Sequence, residues 1–274
     1  MAAPDDVVPA VLDGGRFFAT PRTAGGQQTK WWLDTDGSGF VFSDAARRLQ
    51  LAADGTGFAV APRFATRTMP AADALRLPLL DTKQAGDDPL LQGFDGQLGA
   101  SWFAGRRWIF DYPNATLHCN APVRSSSWVP VELFGGKYPR VRIEIAGAGV
   151  AASFDTAASV ALRKGVLPRF GDALPALRAT SFVKRALFER WQAEHADWPV
   201  VRNAGTAGID AIRVASVTIG PWPLGPQWFT TRPGDDVFEG DAIELKIGAS
   251  AFLRYAAELD YPRMRLGLTA RSQT

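Results

Sequence analysis

Apolar residues in this chain come in short runs, and most runs stop at glycine, proline or an acid. Arg16-Phe17-Phe18-Ala19-Thr20 and Lys30-Trp31-Trp32-Leu33-Asp34 have strand character, with turn chemistry at Thr23-Ala24-Gly25-Gly26-Gln27 between them. They predict a hairpin that ends on Asp34. Val141-Arg142-Ile143-Glu144-Ile145 alternates as a half-buried strand does, Ala146 to Gly149 turns, and Val150 to Phe154 leads to Asp155. Helical spacing is confined to two places. Ser43 is placed to cap a short helix through Leu49, with Asp44 in its first turn. A longer helix is predicted from a cap at Thr180 or Ser181. Val183, Leu187 and Trp191 form its apolar stripe, and Pro199 closes it. Pro221 to Phe229 is too rich in proline for a central strand and reads as an edge or rim loop. Residues 1–14 read as a flexible entry segment, and Lys83 to Pro89 as a polar surface loop.

The pattern then repeats. Leu98-Gly99-Ala100-Ser101-Trp102-Phe103 is answered by Ile247-Gly248-Ala249-Ser250-Ala251-Phe252, and Asp111-Tyr112-Pro113 by Asp260-Tyr261-Pro262. With the two hairpins and the two turns, Asp34-Thr35 and Asp155-Thr156, the landmarks recur in the same order. That order argues for an internal duplication. It divides the chain into the entry segment, a first lobe at 15–125 carrying Asp34, and a second lobe at 126–274 carrying Asp155 and the added helix.

Composition narrows the chemistry. A chain of 274 residues with a formal charge of +2 has no basic bias, so nucleic acid is not an expected partner. Nothing approaches the run of about 18 apolar residues that spans a membrane. The single cysteine, Cys119, excludes a cysteine-based metal cluster and reads as a buried small residue. Of the two histidines, His195 reads as a helix-end surface residue, and His118 adjoins Cys119 on a strand, where neighbours face opposite ways. No nucleophile elbow, phosphate loop or dinucleotide fingerprint is present. Neither metal nor organic cofactor is expected. The N-terminus fits a cytosolic start and equally a mature terminus left after export. The expectation leans to an exported or periplasmic form, with the cytoplasm left open.

An apolar strand ending in Asp-Thr, followed later in each half by an apolar-Gly pair, resembles the aspartic proteases. The likeness covers about residues 15–270 and is strongest to two-lobed bacterial retropepsin-like proteins. It implies a mainly β, bilobal, pepsin-like fold of two related barrel-like lobes, monomeric, with peptide or protein as substrate. By resemblance the catalytic carboxylates are Asp34 and Asp155, and Thr35 and Thr156 bond across the lobe interface. Leu98-Gly99 and Ile247-Gly248 match the strand that passes behind each turn. The family also implies a flap from the first lobe, expected within residues 55–72.

The turns depart from Asp-Thr-Gly. The glycine position holds Asp36 in the first half and Ala157 in the second, followed by Gly37 and Ala158. Ala157 adds one methyl. Asp36 adds a charge that would raise the dyad's pKa values if it faced inward and would do nothing if it faced solvent. Asp36 itself fits the catalytic position less well than Asp34, because Asp34 has the matching threonine. The alternative expectation is a pepsin-like fold without activity, serving as a peptide-binding or structural module. The aromatics Trp31, Trp32, Trp222 and Trp228 are candidates to line a cleft and, more ordinarily, to fill a core.

Overall fold

The computed structural model describes residues 6–85, 88–206, 208–234, 238 and 243–270. The first hairpin is present: Arg16–Ala19 pairs antiparallel with Trp31–Leu33, Phe18 opposite Trp32. Trp31–Leu33 then pairs on its other side, in parallel, with Gly96–Leu98. The second half repeats the arrangement on a larger scale. Tyr138–Ile145 pairs antiparallel with Ala148–Asp155, which runs parallel to Leu245–Gly248 so that Asp155 lies opposite Gly248. Each parallel strand leads directly into a short helical turn, Ala100–Phe103 in the first half and Ala249–Phe252 in the second.

Three large sheets result. A seven-stranded sheet is built from residues 10–98 and an eight-stranded one from residues 132–248. The third has six strands and draws on both halves. Its middle is the antiparallel pair Arg107–Asp111 and Tyr255–Asp260, with Phe110 opposite Ala257. The Asp-Tyr-Pro landmarks close these two strands in the same way. Asp111 accepts from the Asn114 amide at 3.2 Å and Asp260 from the Arg263 amide at 3.3 Å, and each turn ends on a left-handed residue, Ala115 and Met264. The duplication read from the landmarks is therefore also a structural one.

One apolar core runs through both halves. Phe110 and Phe154 have ring centroids 6.3 Å apart, and Phe154 and Phe252 are at 5.0 Å. All three are fully buried, and each such side chain contributes about 1.5–3 kcal/mol of burial free energy. Rings from residues far apart in sequence thus tie the halves together beneath the two turns.

Several local expectations are overturned. Within the supposed entry segment, Val7–Val8 pairs with Thr116–Cys119 and Ala10–Asp13 with Arg16–Ala19. Ala10–Asp13 forms a local hairpin with Arg16–Ala19, whereas the partner of Val7–Val8 lies more than 100 residues away, where local composition does not reveal it. Residues 1–5 lie outside the described residues. The helix runs Arg185–Glu194 and has no side-chain cap. Ser181–Val183 is a strand instead, because it completes the sheet between Leu245–Gly248 and Trp222–Thr230. The buried stripe is accordingly Leu187, Phe188 and Trp191, and the helix stops at His195, short of Pro199.

Trp222–Thr230 is a full strand in the eight-stranded sheet, not a rim loop. Its prolines are tolerated because only Phe229 and Thr230 pair with Ser181–Val183, whereas the proline-bearing part pairs on one side only, with Ala211–Ile219. Within the loop expected at Lys83 to Pro89, a four-residue helical turn covers Thr82–Ala85. Residues 86 and 87 lie outside the described residues.

Candidate active site

The two parallel pairs deliver Asp34 and Asp155 into one cavity of about 280 Å³. The threonines that follow them lock the turns to each other. The Thr35 amide donates to Thr156 Oγ1 at 3.1 Å, and the Thr156 amide to Thr35 Oγ1 at 3.2 Å. Each hydroxyl then donates onward, Thr35 Oγ1 to the Phe154 carbonyl at 2.6 Å and Thr156 Oγ1 to the Leu33 carbonyl at 2.9 Å. Both threonines are buried, so these four bonds form away from competing water.

Each acid is oriented by the amide two residues on. Asp34 Oδ1 accepts from Asp36 N at 2.8 Å, and Asp155 Oδ1 from Ala157 N at 2.9 Å. The symmetry then breaks. Gln97 Nε2 donates to Asp34 Oδ2 at 2.9 Å and to the Ser38 carbonyl at 2.8 Å. The residue standing before the apolar-Gly pair in the other half is Lys246. Its Nζ lies 2.6 Å from Oδ2 of Asp36. Both side chains are nearly sealed, Lys246 at 8% and Asp36 at 3% exposure.

Asp36 therefore faces inward. Burial raises its pKa to about 6, with the Lys246 charge opposing and the Asp155 charge adding to the rise. Asp34 is pushed well above the ordinary carboxylate range, first by burial and then by the charges of Asp155 and Asp36. The Asp36 amide and Lys246 act in the opposite sense. Burial disfavours the Lys246 ammonium, but the surrounding carboxylates of Asp155, Asp36 and Asp34 outweigh it and hold its pKa above the usual lysine value.

The altered motif positions have local explanations. Ala157 is buried and packs with Phe18 and Trp32, so its methyl fills apolar space. The position that must be glycine is Gly37: a Cβ there would sit 2.0 Å from Asp34 Oδ2. Ala158 is buried beside Phe182, and Ser159 Oγ donates to the Ala157 carbonyl at 2.8 Å. Leu98 and Ile247 are fully buried behind the turns. Gly248 lies where a Cβ would be 1.7 Å from the Thr180 carbonyl oxygen.

Apolar walls come from Trp32, Leu90, Ala157, Ala158 and Phe182, and Arg232 also lines the cavity. Of the four candidate tryptophans, Trp32 alone lines this cavity; Trp31 is core, Trp222 packs against the core, and Trp228 packs at a tilt against Phe170 elsewhere. Phe58–Val60, within the range expected for the flap, pairs antiparallel with Arg76–Leu80, which lies outside it. No residue of 55–72 lines the cavity.

Sequence reasoning missed Lys246, Gln97, Leu90 and Arg232. A lysine in the apolar run Leu245-Lys246-Ile247, matched by Gln97 before Leu98, was the available signal. Among the described residues, no group of three His, Cys, Asp or Glu side chains is arranged to hold a metal ion, and no helix is long and apolar enough to cross a membrane.

No protein-family model matches the sequence, and no curated protein matches it significantly. Solved structures do match. The crystal structure of an aspartic proteinase from Irpex lacteus aligns at TM-score 0.54 and 12% identity, over 99% of this chain and 98% of its own. The chain has a pepsin-like fold. Basic 7S globulin from soybean aligns at TM-score 0.50 and 12% identity, over 97% of this chain and 95% of its own. The pepsin-like fold thus extends over essentially the whole sequence, and at this identity the likeness is one of fold.

Proposed function

We propose that the protein is an aspartic endopeptidase. The observation that carries the reading is the pairing of Asp34 and Asp155 in one cavity, held by the reciprocal Thr35–Thr156 bonds. Two carboxyls placed together share a proton, as aspartic proteases do, because ionising both is costly. The rise at Asp34 accords with that sharing. A water held between them would lose a proton to the ionised carboxyl, while the protonated one donates to the carbonyl oxygen of the scissile amide. In such a dyad the acid and base roles are not fixed to one residue or the other.

Asp36, Gly37, Ala157 and Ala158 shape the turns, and Leu98-Gly99 and Ile247-Gly248 back them. The lobes of this reading are 15–125 and 126–274, acting as a monomer on peptide or protein, and the narrower kinship is with bacterial two-lobed retropepsin-like proteins.

A second reading, a peptide-binding module without hydrolysis, is favoured by the Asp36–Lys246 pair, which puts an ammonium among the carboxylates of the cavity. A protein named as a globulin shares the fold.

Cleavage of an unfolded protein across pH about 3–8, the span in which such a dyad titrates, separates the two. The wild type is expected to cut, and Asp34→Asn and Asp155→Asn are each expected to lose about 1,000-fold or more, the scale of removing a group that acts as part of a unit. A folded wild type that never cuts supports the module. Loss in only one variant overturns the pairing.

A further inference from the structure

Among the described residues, the cavity is lined by two cations, Lys246 and Arg232. Lys246 is committed to Asp36. Arg232 has no carboxylate partner among the described residues. It follows the strand Trp222–Thr230, directly after the fully buried Thr230 and Thr231, so its backbone is anchored. Its guanidinium carbon lies 5.2 Å from the centroid of Phe182, another wall of the same cavity. Its Nε is buried without a hydrogen-bond partner, and no carboxylate among the described residues pairs with it. Several other arginines of the second half are paired: Arg178 with Asp172, Arg185 and Arg202 with Asp210, and Arg190 with Glu244.

A guanidinium steadied against an aromatic face keeps its planar fork of donors free, and that fork matches a carboxylate. We propose that Arg232 and Phe182 form a carboxylate-binding subsite beside the dyad. The cleft would then select peptides carrying a carboxylate near the scissile bond, from an acidic side chain or a chain terminus. The inference rests on the endopeptidase reading and names its substrate class. Selection comes from a guanidinium that has no carboxylate partner among the described residues. A carboxylate satisfies them with charge-assisted bonds, whereas an amide of the same shape leaves the charge without a counter-ion.

The test uses peptide pairs that differ only as Glu or Gln at one position, moved in turn through the residues flanking the cut. A second set differs only in a free or amidated C-terminus. Experiments at pH about 6 keep the peptide Glu ionised, its ordinary pKa being about 4.3. For wild type, Arg232→Gln and Arg232→Lys, kcat/KM is measured. Binding is followed by tryptophan fluorescence on the same proteins carrying Asp155→Asn. Circular dichroism checks each fold.

At one position the Glu peptide, or in the second set the free terminus, is expected to be preferred roughly tenfold, the scale of one charge-assisted contact. The ratio should fall toward one in Arg232→Gln and survive in part in Arg232→Lys, which keeps charge without the fork. Equal cleavage of every pair overturns the subsite and leaves the dyad standing, as does a preference that persists in Arg232→Gln. Absence of cleavage with Arg232-dependent binding of the acidic peptide overturns hydrolysis and keeps the subsite. Neither cleavage nor preferential binding overturns both.

Discussion

Asp34 and Asp155 differ in their neighbours more than in their own placement. Gln97 donates to Asp34 Oδ2, while Lys246 reaches past the corresponding position to Asp36. Removing one member of a sealed ion pair strands the other charge, at a typical cost of about 3–5 kcal/mol. Lys246→Met should therefore destabilise the fold by about that much at neutral pH, and Asp36→Asn combined with Lys246→Met by clearly less. Urea unfolding of the two single variants and the double variant checks this; additive losses would mean the pair is not coupled.

The acids were legible in the sequence because strand, Asp and Thr are consecutive. The inward direction of Asp36 was not, since its partner lies 210 residues on. An acid in such a turn carries no local mark of whether a cation awaits it.

The elements divide the same way. Hairpins whose strands are neighbours in sequence, such as Arg16–Ala19 with Trp31–Leu33, were readable from alternation and turn residues. Strands recruited by distant partners were not. Val7–Val8 is ordered by Thr116–Cys119, and Ser181–Val183 leaves a helical pattern to fill a gap in a sheet. Proline in Trp222–Thr230 argued against a strand, but one-sided pairing admits it.

The apolar-Gly pairs were readable as motifs, and the structure gives both a steric reason; a Cβ on Gly99 would lie 2.4 Å from the Gly37 carbonyl oxygen. A Cβ on Gly248 would penetrate the Thr180 carbonyl, which is backbone and has no easy escape. Gly248→Ala should cost upwards of about 4 kcal/mol or abolish folding. Gly165→Ala, with open space around it, should change the melting temperature little. Thermal unfolding of the two variants side by side checks the contrast.

For the whole molecule the buried acids set an unusual dependence on pH. A carboxyl whose folded pKa is raised binds its proton more tightly in the native state, so stability falls as pH climbs from the unfolded value toward the folded one. For Asp36 that window is about 4 to about 6, and Asp34 acts in the same sense. Asp210 opposes this. Burial pushes its pKa up, but the Asn203 amide, Arg202 and Arg185 win and hold it below the usual range, so its contribution is lost as pH falls below about 4. Maximum stability is expected near pH 4–5, with a decline on the order of 1–3 kcal/mol by pH 7. Urea midpoints at several pH values measure it; a monotonic rise to neutrality would refute the assignment.

The six-stranded sheet has a consequence for how the chain survives damage. Its central strands, Arg107–Asp111 and Tyr255–Asp260, come from opposite sides of residues 122–127 and are hydrogen-bonded to each other. The Arg124 and Ser125 amides also grip Glu258 Oε2, at 3.0 and 3.1 Å. Cutting the polypeptide in this stretch would break the sequence in two without releasing either piece. Integrity here belongs to the pairing of strands, and the peptide bond that crosses between the halves is only one more contact among many.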